Sequence, residues 1–147
     1  MLINTCSNYD PKRDKDYNNN KVANGWEMTE IPWQKAEIIK LTTEYGISCN
    51  EYSDGHKCNN SWVAAHAIML DFDGGFMTAG SLIEVQQNDW QFNSYIYSSQ
   101  NHLKPKMKSQ TNIEPACERL RALIPLKEPI TDTFILKAVE EAYDRAV

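Results

Sequence analysis

The stretch Ala67-Ile68-Met69-Leu70-Asp71-Phe72-Asp73-Gly74-Gly75 decides how this chain is read. An apolar run of this kind is a strand buried on both faces, central in a sheet. Side chains at i and i+2 of a strand share a face, so Asp71 and Asp73 project side by side. Two carboxylates that close repel unless something positive lies between them. A divalent cation meets that need, and hard oxygen ligands suit magnesium or manganese. The glycines let the chain turn sharply and keep the strand end open. The stretch reads as a metal-dependent site for phosphate chemistry.

Upstream, residues 1–28 are polar, with Lys12-Arg13-Asp14-Lys15-Asp16 followed by Asn18-Asn19-Asn20, and read as an extended or loosely attached arm. Thr29-Glu30-Ile31-Pro32 opens a helix that runs to Tyr45 and stops at Gly46, burying Ala36, Ile39 and Tyr45. Ile47 to Trp62, with Asp54-Gly55, reads as a loop or hairpin leading into the aspartate strand. Downstream, Thr78 caps a short helix over Ser81 to Gln87. Trp90 to Ser99 is rich in strong β-formers and reads as a second strand. Leu103 to Glu114 is a loop, and Leu120 to Ile124 is a third strand ended by Pro125. Thr131 or Asp132 caps a last helix whose apolar positions Ile135, Ala138, Val139, Ala142 and Tyr143 share a face, a pattern still running at Val147. The expectation is one α/β (α+β) domain over residues 29–147, with a mixed or antiparallel sheet and flanking helices.

The chain's 147 residues suffice for one domain with a real core, and 41% hydrophobic with 24% charged residues is ordinary for a globular protein. No apolar run approaches the roughly 20 residues of a membrane span. The N-terminus shows no signal-peptide pattern. Cys6, Cys49, Cys58 and Cys117 are scattered without framework spacing, which suits reduced thiols in the cytoplasm. His56, Cys58, Cys49 and His66 match none of the paired zinc spacings. A net charge of −5 argues against a general nucleic-acid-coating protein but allows a local basic strip.

Further polar groups cluster where the later strands begin and end. The second strand runs into Ser98-Ser99-Gln100-Asn101-His102, and a histidine after hydroxyls suits a nucleotide phosphate. Arg119 and Arg121, two residues apart, suit bidentate phosphate contact, or else pair with Glu118 or Glu128. Lys104, Lys106 and Lys108 add positive potential near a polyanion, or else form a solvated face.

Three segments in this order resemble the archaeo-eukaryotic primase superfamily, in particular the primase-polymerases of phages and plasmids. They are Asp71-Phe72-Asp73 after its strand, Ile96-Tyr97-Ser98-Ser99-Gln100-Asn101-His102, and Arg119-Leu120-Arg121-Ala122-Leu123-Ile124-Pro125-Leu126. Tyr52-Ser53-Asp54-Gly55-His56-Lys57 resembles that family's basic loop, and the likeness covers residues 47 to 130. It implies an RRM-like primase catalytic core and DNA primase chemistry on a single-stranded DNA template. Asp71 and Asp73 would hold Mg²⁺ or Mn²⁺, and with His102 would form the catalytic set. Ser99, His102, Arg119, Arg121 and Lys57 would meet the nucleoside triphosphate; Lys104, Lys106 and Lys108 would meet the nucleic acid. A helicase domain or replication protein would be the partner, and no membrane is involved. Asn101 replaces the serine usual before the histidine. The family's third carboxylate comes from a later strand, whereas Glu140 and Asp144 lie on a helical stretch. The chain is therefore expected to be the N-terminal portion of a larger catalytic domain, or a domain with an incomplete carboxylate set.

Two other functions compete. Leu70-Asp71-Phe72-Asp73-Gly74-Gly75 also looks like the nucleophile strand of a haloacid-dehalogenase-like phosphatase, with Asp71 phosphorylated and Asp73 as acid/base. Gly75 stands in place of that family's threonine, and no later Asp-Asp pair follows. The other alternative is a non-catalytic primase-like module that binds nucleic acid or a replication partner.

Overall fold

Residues 1–28 do not form the expected loose arm. In the computed structural model, which describes residues 1–13, 17–18, 21–90, 92–107 and 113–145, Leu2–Cys6 is strand β1 and Trp26–Glu30 is strand β2. β1 is the middle strand of an antiparallel sheet between β2 and Gly46–Ser48 (β3). Ile3, Asn4 and Cys6 are buried, and the Asn4 side chain donates to the Asn50 carbonyl at 3.1 Å. The Thr5 and Thr29 hydroxyls meet across β1 and β2 at 3.0 Å. Polar residues thus serve as core and ladder, so the segment shows no apolar period.

The fold is α+β, with antiparallel sheets and helices. It divides into two units, Met1–Ile68 with Pro125–Glu141, and Met69–Ile124 with Ala142–Val147. In the first, helix α1 is Lys35–Glu44 and buries Ile38 and Leu41, one residue out of phase with the expected face; Ile39 and Tyr45 are exposed. The helix begins three residues past Pro32. Asn50–Tyr52 (β4) pairs antiparallel with the start of Trp62–Phe72 (β5). The link between them turns at Asp54 and Gly55, both with positive φ. A Cβ on Gly55 would lie 2.6 Å from the Trp26 carbonyl oxygen, so only glycine fits. Ala64, Ala65, Ala67, Ile68 and Leu70 of β5 are buried, and adjacent buried residues mean that both faces are covered.

In the second unit, the first half of Leu120–Ile130 (β9) lies between the end of β5 and the outer strand Tyr95–Ser98 (β6). β6 pairs antiparallel with β9, Tyr97 opposite Arg121 and Ser98 opposite Leu120. Helix α2, Ala79–Asn88, starts at Thr78, whose hydroxyl accepts from the Ser81 N–H at 3.1 Å, as its sequence implied. Trp90 and Phe92 stack ahead of β6 instead of joining it, with ring centroids 5.0 Å apart. The loop expected over 103–114 contains a short ladder, Lys106–Met107 (β7) with Ile113–Glu114 (β8). β9 does not stop at Pro125 but continues through it and Pro129. Proline's fixed φ suits extended backbone, and the strand gives up only the proline's own N–H. Asp132 caps Thr133–Arg145 (α3) through the Phe134 N–H at 2.7 Å. Its expected apolar face is only partly covered: Val139 and Tyr143 are half-buried, while Ile135 is exposed. Among the described residues no helix is long and apolar enough to cross a membrane.

If β1 is an integral core strand, Ile3→Ala lowers the stability of the chain by about 2–5 kcal/mol, as a buried-chain truncation does. Urea unfolding measures this; a loose arm would give no change.

Candidate functional site

β5 leaves the core at Asp71, and the two aspartates find their cations within the protein. The Asp71 carboxylate is gripped by the Arg121 guanidinium, Nε to Oδ1 at 3.0 Å and Nη2 to Oδ2 at 3.1 Å. This is the bidentate fork geometry that Arg supplies and Lys cannot. The Lys106 ammonium donates to Asp73 Oδ2 at 2.6 Å. Tyr97, opposite Arg121 on β6, shares this face and reaches Met69 Sδ through its hydroxyl at 3.7 Å. The face of the sheet is therefore a row of Met69, Asp71, Arg121 and Tyr97.

The electrostatics follow from these contacts. The Lys106 hydrogen bond, with the charges of Lys106, Arg119 and Arg121, holds the Asp73 carboxyl below its ordinary value against the cost of burial. Lys106 is in turn held above its ordinary value, first by its hydrogen bond to Asp73. Partial burial works against the Arg121 charge, but Asp71 and Tyr97 outweigh it and keep the guanidinium more firmly protonated.

Arg119 has another task. Its side chain is 0% exposed, so it does not face a ligand in solvent. Nη1 donates to the carbonyls of Asn101 at 2.8 Å and Lys104 at 2.6 Å, and Nη2 to Pro115 at 3.4 Å. Glu114 lies 3.8 Å from Nη2. The guanidinium thus ties the segment after β6 to the segment before β9.

His102 is fixed by the same residue. Its Nδ1 lies 3.1 Å from the Arg119 N–H and 3.2 Å from the Arg119 carbonyl oxygen. A backbone N–H can only donate, so with the Arg119 N–H on Nδ1 the ring nitrogen is the acceptor. The ring proton is then assigned to Nε2, which is the donor the imidazole can offer. An open groove of about 520 Å³ lies beside this ring, lined also by Ile83, Gln86, Ile96, Ser98 and Leu120. The Ser99 hydroxyl is buried, does not face solvent and has no hydrogen-bond partner among the described residues.

The remaining candidates have contacts of their own. Lys104 lies in the same unit and donates to the Gln100 carbonyl at 3.1 Å. Lys108 is outside the described residues. Lys57 belongs to the first unit, where its ammonium stands 4.9 Å over the Trp26 ring. Of the zinc candidates, His66 Nε2 pairs with Glu51 at 2.8 Å and His56 Nδ1 with Asn24 at 2.6 Å. Among the described residues no three His, Cys, Asp or Glu are grouped as metal ligands.

Chemically, the carboxylates remain open to a hard cation. Each oxygen has two lone pairs, and Asp73 Oδ1 lies outside the Lys106 contact, so the donor set fits Mg²⁺ or Mn²⁺. An Asp71 held by both oxygens in a guanidinium fork is a poor nucleophile. Sequence reasoning missed Lys106 as the partner of Asp73, and Glu118, which accepts from the Ala79 N–H at the start of α2 at 2.5 Å. Neither left a local signal, because each partner lies more than thirty residues away in sequence.

Two outcomes follow. Arg119→Lys destabilises the chain by about 2 kcal/mol or more in urea unfolding, because one ammonium cannot serve carbonyls on both segments. For Asp73, a depressed folded value means that its stabilisation is complete above the ordinary 3.8 and is lost as pH falls through the lower folded value. Lys106→Met removes the main cause, so carboxyl NMR shows the Asp73 midpoint moving up toward 3.8.

No protein-family model, no curated protein and no solved structure matches this chain.

Proposed function

We propose that the chain is a nucleotidyltransferase domain of the primase-polymerase kind, built on an RRM-like core and serving phage or plasmid replication. The observation that carries this reading is the pair Asp71 and Asp73 at the exit of a buried strand, each in contact with a cation. Carboxylates set among basic groups are what metal-bound triphosphate chemistry requires. Mg²⁺ or Mn²⁺ bound by Asp71 and Asp73 would supply activation of a 3′-hydroxyl and support for the leaving pyrophosphate.

The chain's own residues do the rest. His102, its Nδ1 satisfied by Arg119, presents Nε2–H as a donor for a phosphate oxygen of the incoming nucleotide. Lys106 balances Asp73 at rest and becomes a phosphate partner when the carboxylate takes another cation. Arg121 holds Asp71 in one orientation, so the carboxylate needs little reorganisation on binding. Arg119 acts by holding the His102 segment in place. Single-stranded DNA is the template, and a helicase or replication protein is the partner.

A second reading, a binding module without turnover, is favoured by the same ion pairs, since both carboxylates already have their charge answered within the chain. Calorimetry separates the two. With MgCl₂ or MnCl₂ present, nucleoside triphosphate binds the unchanged chain, and Asp71→Ala/Asp73→Ala reduces that binding at least tenfold. Equal metal and nucleotide binding by the two proteins would sink the enzymatic reading and leave the binding module.

A further inference from the structure

The loop after Asp73 carries the most exposed large apolar side chain described in the chain. Phe76 is 94% exposed, three residues beyond the acid pair. Leu103, next to His102, is 62% exposed and has a φ of 54°. A left-handed backbone is costly for a bulky residue and persists only where the surroundings hold it.

Both segments are held by Cys117. The Leu103 N–H donates to the Cys117 carbonyl at 2.9 Å. Gly75, also left-handed, rests on the same residue so closely that a Cβ would lie 2.8 Å from Cys117 Cβ. A Cβ on Gly74 would in turn lie 2.7 Å from the Phe76 ring, so the ring lies along a bare backbone. Phe76 and Leu103 are therefore presented to solvent from two segments anchored at one point. Lys104 follows Leu103 directly, and its ammonium has no carboxylate partner among the described residues.

We propose that Phe76 is a stacking residue for a base of single-stranded nucleic acid, with Leu103 as the opposing apolar edge and Lys104 meeting the adjoining phosphate. This rests on the nucleotidyltransferase reading and names the contact that would hold the strand beside its acids. An exposed aromatic ring and an ammonium on segments anchored at the same residue are what a base and its adjoining phosphate each require. Two isolated apolar side chains are too little for a stable protein interface, which needs a broad patch. The start of α2 contributes no phosphate site, since Glu118 already occupies the Ala79 N–H.

The test is fluorescence anisotropy of a labelled 20-nucleotide oligothymidylate with the full chain in EDTA. Excluding metal makes the outcome independent of metal–nucleotide binding, so the two readings fail separately. Phe76→Ala and Phe76→Leu weaken binding by about 5- to 150-fold, while Phe76→Trp retains it. Lys104→Gln weakens binding less and flattens its salt dependence. The melting midpoint of each Phe76 variant stays within a degree or so of the parent, as exposure demands. The proposal falls if the unchanged chain does not bind the oligonucleotide, if Phe76→Leu binds as tightly as the parent, or if the variants lose stability in step with binding.

Discussion

A strand covered on both faces cannot carry charge until it leaves the core, and β5 leaves it at Asp71. That single constraint arranges the second unit around the strand end. The carboxylates emerging there must be neutralised, and the chain supplies Arg121 from the neighbouring strand and Lys106 from the short ladder. Asp71, Arg121 and Tyr97 can meet only because β9 lies beside β5 and pairs with β6 in one register. A slip of one residue would turn Arg121 to the opposite face and leave Asp71 without its fork.

Arg119 and Arg121 show how two identical residues two positions apart acquire different work. Arg121 stands within the ladder, where its side chain lies on the sheet face and meets a carboxylate. Arg119 stands just before the strand, and its guanidinium fills a space walled by backbone carbonyls. Burying an arginine there is sustainable because a planar group with several donors answers several acceptors at once. Its backbone N–H orients His102, so one residue sets both the segment and the imidazole.

The sequence revealed elements whose signals are local. β5 was legible as an unbroken apolar run, α2 through Thr78, and α3 through Asp132. What failed depended on partners distant in sequence. β1 has a buried Asn4 satisfied by Asn50, and its place between β2 and β3 is invisible within its own five residues. The buried face of α1 is set by what packs against it, which its own residues do not announce, and β9 outran its prolines because extended backbone tolerates them. Spacing singles out Asp71, Asp73 and His102 as candidates, but it does not give their partners: Asp71 meets Arg121 across 50 residues of chain. Arg119 reads in sequence as a phosphate-binding group and is buried in the structure, since nothing in Glu118-Arg119-Leu120 announces carbonyls from two other segments.

β6 has a consequence of its own for the chain in concentrated solution. It is an outer strand, and Tyr95-Ile96-Tyr97-Ser98 bears neither charge nor proline to discourage a second strand from joining it. Because the Ser99 N–H bonds across to Arg119, ladder alternation directs the peptide groups of Ile96 and Ser98 toward the side where no strand pairs with β6 among the described residues. Two residues are a poor template for fibre growth. Brevity is the safeguard here, and lengthening this segment would remove it.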